Sequence, residues 1–353
     1  MTPPKKDKAT APPPAPVKAP GPRFFRDILG QDWVVSHLKT AAQKGRLAHA
    51  YLFVGPEGVG RESAARALAA ALNCLSPLED GDACGVCASC RRLAAGTHPD
   101  FLVIGPEGSK SKVQIEIEQI RELSRITNYP PLGGGWRVVL IKPAEALTAI
   151  NPAAANALLK TLEEPPARHL IVLTALGEVD LLPTVVSRCH KLAFAPMPAA
   201  LIAGELERRR GLTPPQAQLL AALSGGSLGR ALILDPETIL AQRRRVLTDL
   251  AQLATGSATA ALDWGQRLAK NRPELDNFLA LAQLWYRDLL LCHFQAPAAL
   301  LAHQDLLPDL ANGAAATAPE TCFQKFTALG TAQRHLAANL NPELTLDILG
   351  LRL

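Results

Sequence analysis

The sequence lacks any apolar run close to the roughly 20 residues that a membrane-spanning helix requires. It also lacks an apolar stretch near its start long enough for a secretory signal peptide. A membrane protein and a secreted protein are both disfavoured, and a cytoplasmic chain is expected. Charge of one sign is scarce outside the first residues. The net charge is +5 over 353 residues. Residues 1–23 contribute +4 of it through Lys5, Lys6, Lys8, Lys18 and Arg23 against Asp7, so the remainder is almost neutral. The basic pI of 8.9 therefore gives no support to a DNA-binding body. No acidic pair sits on a strand in the setting a polymerase needs, and no internal repeat is evident. An even cysteine complement is missing too. There are seven cysteines, and an odd count without an export signal argues against a disulfide framework.

What is present is an ordinary globular composition, 48% hydrophobic and 20% charged, behind a proline-rich start. Residues 1–22 hold eight prolines, which remove amide donors, so a disordered tail outside the fold is expected. From Phe24 the pattern alternates. Helical periodicity over 31–44 is followed by the apolar run 50–55, a helix over 62–74 and a strand over 101–106. A helix in the second half of 113–126, a strand over 136–143, a helix over 151–166 and a strand over 169–175 complete the series. Strands alternating with helices imply an α/β domain with a parallel sheet. Beyond residue 197 strand signals fade. Two short helices are expected around SGGSLG (224–229), and residues 237–353 read as helical throughout. Phe278, Leu281, Trp285, Leu289 and Cys292 fall on one helix face and read as core packing.

GPEGVGRES (55–63) lies between an expected strand and an expected helix, where a phosphate-binding loop belongs. Such a loop wraps phosphates in backbone amides, neutralises them with a Lys and holds Mg²⁺ with a hydroxyl. Gly55, Gly58 and Gly60 are in place, but Arg61 replaces the Lys and Glu62 the hydroxyl. Ser63 comes one position late, about 100° around the helix. The acid that should hold Mg²⁺ at the end of a neighbouring strand is replaced by Lys142, and Glu145 is not placed to substitute. A degenerate loop is expected, with no ATP in its own site and no autonomous ATPase activity.

Cys74, Cys84, Cys87 and Cys90 follow the pattern C-x9-C-x2-C-x2-C. Four thiolates suit a closed tetrahedral zinc site with no open position for water. Structural zinc is the expectation, with an iron–sulfur cluster or reduced thiols as alternatives. His98 reads as a loop histidine. Ser187-Arg188-Cys189 follows the 169–175 strand. Taken alone, Arg188 reads either as an ion-pair partner within its own domain or as a finger acting on a neighbour's phosphate.

GQ (30–31), AHAYLFVGPEGVG (48–60), the four cysteines, HPDF (98–101) and IEQIREL (117–123) form an ordered set of segments. NALLKTLEEPP (156–166), LLPTVVSRC (181–189) and GGSLGRAL (225–232) continue it. In this combination the chain resembles the delta-prime family of bacterial DNA polymerase III clamp-loader subunits, which are AAA+ proteins. The resemblance implies an AAA+ α/β domain over 23–196 with a zinc module at 74–90. It further implies a small helical lid domain over 197–237 and an all-α collar domain over 238–353 that packs subunits into a ring. It implies an arginine finger in trans at Arg188, a polar sensor at Thr174 and a second sensor at Arg230. The implied partners are the gamma/tau and delta subunits and, through the complex, the sliding clamp and primed DNA. The implied role is a non-hydrolysing stator within a DNA-directed DNA polymerase holoenzyme. The runner-up is an active gamma/tau-like ATPase. That family carries an intact Lys-Thr/Ser loop and an Asp-Glu strand end, both absent here, and commonly continues past the collar, whereas this sequence stops at Leu353.

Overall fold

The computed structural model describes residues 24–106, 114–148 and 152–353. The expected disordered tail at 1–22 lies outside the described residues. A five-stranded sheet has the order β2-β3-β4-β1-β5, with β1 Ala50–Val54, β2 Phe101–Ile104, β3 Arg137–Ile141, β4 His169–Ala175 and β5 His190–Ala193. The β2–β3 and β3–β4 ladders are parallel, with Phe101 opposite Val138 and Val138 opposite Leu170. Every residue of β3 and β4 is buried. Strands covered on both faces read as unbroken apolar runs, which is why VVLI and LIVL stand out in the sequence.

The chain divides into two compact units. The first comprises Met1–Leu29, Val35–Tyr51 and Glu62–Leu173; the second comprises Gly30–Val34, Leu52–Arg61 and Thr174–Leu353. Helices α1 Asp32–Gln43, α2 Arg61–Asn73, α3 Ala88–Ala95, α4 Ile117–Thr127 and α5 Ala153–Glu163 accompany the first four strands. The buried residues of α4, Ile120, Leu123 and Thr127, keep the 3-4 helical spacing, and α4 packs on α5. The second unit carries α6 Pro183–Val186, α7 Ala199–Arg210, α8 Pro214–Leu223 and α9 Leu228–Ile233. It continues with α10 Pro236–Thr255, α11 Ala258–Ala269, α12 Arg272–His293, α13 Leu307–Ala316, α14 Pro319–Ala337 and α15 Pro342–Gly350. Helix α12 packs against α10, α13 and α14, and α11 against α15. The expected stripe on α12 is core at Phe278, Leu281 and Leu289, and half-buried at Trp285 and Cys292.

Three elements depart from expectation. Strand β5 was not expected, because as an edge strand it buries only Leu192 and shows no apolar run. Helix α3 forms inside the cysteine segment, capped by the Cys87 side chain, which accepts the Cys90 N–H. Three short helices rather than two occupy 199–233, because Ser227 caps the six-residue α9 by accepting the Arg230 N–H.

One ionic node holds the β2–β3 end of the first unit. Asp100 is fully buried and Arg137 is 3% exposed, joined at 3.0 Å. Asp100 also accepts the Leu132 and Gly133 N–H groups at 2.9 and 2.7 Å. Arg137 donates to the carbonyls of Ile126, Tyr129 and Pro130. Burial opposes the Asp100 charge, but the two N–H donors and Arg137 hold its carboxyl below the ordinary range. A carboxyl depressed on folding contributes fully above its unfolded pKa, and that contribution is lost as pH falls through the folded one. Asp100→Asn leaves Arg137 buried without a counter-charge and is expected to cost about 3–5 kcal/mol. Urea unfolding at neutral pH measures it. The deficit should shrink as both proteins are taken below about pH 4. A neutral-pH loss under about 1 kcal/mol would show that the node is not ionic in effect.

Candidate functional site

Cys74 follows α2 directly, Cys87 caps α3, Cys90 lies within it and Cys84 precedes both. The four Sγ atoms lie within 4.8 Å of one another. Cys84 Sγ and Cys90 Sγ are 4.0 Å apart, and Cys90 Sγ and Cys74 Sγ 3.8 Å. Zinc–sulfur bonds of about 2.3 Å in a tetrahedron demand sulfur–sulfur edges of about 3.8 Å, so the thiols fit zinc. They are far too distant for a disulfide, whose S–S bond is about 2.05 Å. Backbone N–H groups already point at three sulfurs. Cys84 N–H donates to Cys74, Cys87 N–H to Cys84 and Cys90 N–H to Cys87. Burial opposes the Cys87 thiolate, yet donors from the Cys90 and Leu75 backbone outweigh it and bring the thiol down to about 6. Donors hold the Cys84 thiol down as well, whereas burial pushes those of Cys74 and Cys90 up. Ala70, Ala83, Phe24 and Leu93 pack around the cluster. Buried Asp82 ties it to the chain before α1 by accepting the Phe25 and Arg26 N–H groups and pairing with the Arg26 guanidinium at 3.3 Å. His98 is no ligand, because its Nε2 lies 3.1 Å from Ser89 Oγ.

At the degenerate loop, the two substitutions in the first unit meet. Lys142 Nζ lies 2.5 Å from Glu62 Oε2, and Arg66 Nη2 lies 2.7 Å from Glu62 Oε1. Burial opposes the Glu62 charge, but Lys142 and Arg66 hold its carboxyl below the ordinary range. The anion at the hydroxyl position and the cation at the acid position neutralise each other across 80 residues of sequence. In the sequence Glu62 and Lys142 stand 80 residues apart as two separate departures. Their opposite charges were the available signal that they pair.

Within the second unit, the Gly58 carbonyl accepts the Gly229 N–H at 3.0 Å. Gly58 has a φ of +74°, and a Cβ there would stand 2.3 Å from Ser227 Oγ, so only glycine fits against the start of α9. Arg61 opens α2 and is half-buried. Thr174 is 5% exposed near the end of β4. Arg230 is exposed in α9. Arg188 follows α6, half-buried, with Nη1 2.9 Å from the Thr184 carbonyl. Beside it, burial pushes the Cys189 thiol up to about 12, which leaves it unreactive. Fold and site together define an α/β protein with a glycine loop between strand and helix that departs from the phosphate-binding pattern at Arg61, Glu62 and Lys142, and with a four-cysteine cluster that could hold a metal.

Residues 30–198 match the sequence profile of the family described as DNA polymerase III, delta subunit. The chain is 42% identical over 208 residues to DNA polymerase III subunit delta' of Pseudomonas aeruginosa, covering 58% of this chain. It spans only 61% of that relative's length. It is 29% identical to the subunit delta' of Bacillus subtilis, over 92% of this chain and 96% of that one. It is also 36% identical to DNA polymerase III subunit tau of Salmonella typhimurium, over 67% of this chain but 36% of the relative. Over residues 30–198 the chain is similar to the DNA polymerase III delta-subunit family, and the similarity to a subunit named delta' extends well beyond that segment.

The purified chain is expected to hold one equivalent of zinc and Cys87→Ser markedly less, by elemental analysis. Limited proteolysis of the variant should open residues 74–92, because metal binding and local folding are coupled. Equal zinc in both proteins, or none in the wild type, contradicts the assignment. Arg61→Lys should produce no ATP turnover by the isolated chain, since the Glu62–Lys142 pair remains. Turnover by this single variant would show that the pair is no obstacle.

Proposed function

We propose that this chain is a non-hydrolysing stator subunit of the DNA polymerase III clamp loader. It would work beside gamma/tau and delta subunits in loading the sliding clamp onto primed DNA. The observation that carries the reading is the Glu62–Lys142 pair at 2.5 Å. An ammonium repels Mg²⁺ where a carboxylate should bind it, and a carboxylate stands where a hydroxyl should ligate the metal. The similarity to subunits named delta', in Pseudomonas aeruginosa and Bacillus subtilis, supports the assembly context. The same pair weighs against an active gamma/tau-like ATPase.

A stator contributes through its surfaces. Arg188 is half-buried after α6 and donates to the Thr184 carbonyl. It would serve as a finger on a neighbour's γ-phosphate, a role that the similarity to subunits named delta' supports. Thr174 and Arg230 would be the counterparts of sensors, with no nucleotide expected in their own site. Residues 23–196, 197–237 and 238–353 would serve as AAA+, lid and collar domains. Leu340, Leu344, Ile348 and Leu351 recur at helical spacing along and beside α15 and are 46–60% exposed. A stripe of that kind suits a subunit-facing collar surface.

Arg188→Ala tests the reading. Reconstituted with gamma/tau and delta, the variant should still co-purify, since a finger acts on the neighbour's transition state rather than on folding. Total ATP turnover should fall partially, because one interface uses this finger, and clamp loading should fall further. Loss of assembly, or full ATPase with full loading, would make the arginine structural.

A further inference from the structure

The four-cysteine centre stands next to a chain of hydrogen bonds that the proposed function does not use. Ser89 lies between Cys87 and Cys90, is 9% exposed, and its Oγ is 3.1 Å from His98 Nε2. The other ring nitrogen, Nδ1, accepts the Asp100 N–H at 3.2 Å. An accepting Nδ1 leaves Nε2 to carry the proton, which it donates to Ser89. Burial holds the His98 imidazole below its ordinary pKa, so the neutral ring keeps its Nδ1 lone pair. Beyond the backbone of Asp100, its carboxylate grips the Leu132 and Gly133 N–H groups. Arg137, held by the same carboxylate, takes the carbonyls of Ile126, Tyr129 and Pro130.

The loop so held, 128–136, is rich in glycine and proline, and its large side chains Tyr129 and Leu132 anchor it little. Tyr129 is 67% and Leu132 78% exposed. Hydrogen bonds to Asp100 and Arg137 hold its Tyr129–Gly133 part, while Arg168 donates to the Gly134 carbonyl and Asn73 pairs with the Trp136 backbone at its end. A carboxylate with fixed donors transmits displacement, because every partner is buried or geometrically constrained.

We propose that the cysteine centre and the 128–136 loop form one conformational unit, in which Ser89, His98 and Asp100 are positioning residues that make the order of the loop depend on the metal. This rests on the reading of Cys74, Cys84, Cys87 and Cys90 as a zinc site. With metal bound, α3 is fixed, Ser89 holds the His98 ring, and the ring fixes the turn into β2 from which Asp100 reaches the loop. Without metal, α3 loosens, the ring loses its acceptor, and the Asp100 grip on Leu132 and Gly133 relaxes. The exposed Tyr129 and Leu132 side chains are then presented on a mobile segment instead of a fixed one.

Amide hydrogen exchange on the full chain tests this, with zinc content measured alongside. In the zinc-loaded wild type, peptides covering 128–136 should be protected. Chelation should accelerate their exchange, adding zinc alone should restore it, and peptides from α12 should not change. Ser89→Ala removes one hydrogen bond and no ligand. With its zinc retained, it should exchange about fivefold faster at Leu132 and Gly133. If that variant loses zinc, His98→Phe, which keeps a flat aromatic ring, though a larger one, without either nitrogen, provides the same test away from the sulfurs. A wild type without zinc defeats the metal reading and the coupling with it. A zinc-loaded wild type whose 128–136 exchange ignores chelation, or a zinc-retaining variant with unchanged exchange, defeats the coupling alone.

Discussion

The carboxylate of Asp100 is the constraint on which the β2–β3 end of the first unit depends. Fully buried, it tolerates its charge only because Arg137 and two backbone N–H groups surround it. Through those partners it joins the start of β2, the start of β3, the end of α4 and the intervening loop. Burying an ion pair is a weak route to stability, but it is strict about geometry, since any missing partner strands a charge in the interior. The adjacent cysteine module adds a second small framework. Its little apolar cluster of Ala70, Ala83 and Cys90 would be marginal alone, and four sulfurs at tetrahedral spacing allow a metal to supply what the packing does not.

The phosphate loop follows the opposite logic. Its backbone survives, with Gly58 close against the start of α9, while its chemistry is cancelled from within. Glu62 and Lys142 stand where a metal ligand and a metal-holding acid are needed, and each removes the other's charge. Without Glu62, Lys142 would lose its 2.5 Å partner, whereas Glu62 would keep Arg66. On the proposed reading, a subunit built this way would keep the fold of a nucleotide-dependent protein without its cycle. That is the physical content of the stator reading.

Much of the architecture was legible because burial leaves a mark on composition. Strands β3 and β4 are enclosed on both sides, so their residues are apolar without interruption. Helix α4 shows its 3-4 spacing because one face meets α5. Strand β5 left no mark, since an edge strand with only Leu192 inside has nothing to distinguish it from a loop. Helix α3 was hidden for another reason. Its cap is a cysteine, and a thiol that caps a helix is indistinguishable in sequence from one that only ligates.

By itself the sequence determined residue chemistry and local periodicity: an α/β alternation, a glycine loop without its lysine, hydroxyl or acid, four thiols at chelating spacing, and an arginine beyond the last buried strand. Tertiary structure alone decided which of these groups meet. Glu62 finds Lys142, Asp100 finds Arg137 and the 132–133 amides, and His98 joins Ser89 rather than a metal. The physical reason is that an ionic or hydrogen-bond partnership depends on separation in space over a few ångströms, and the chain must close a sheet before residues tens of positions apart come within that range.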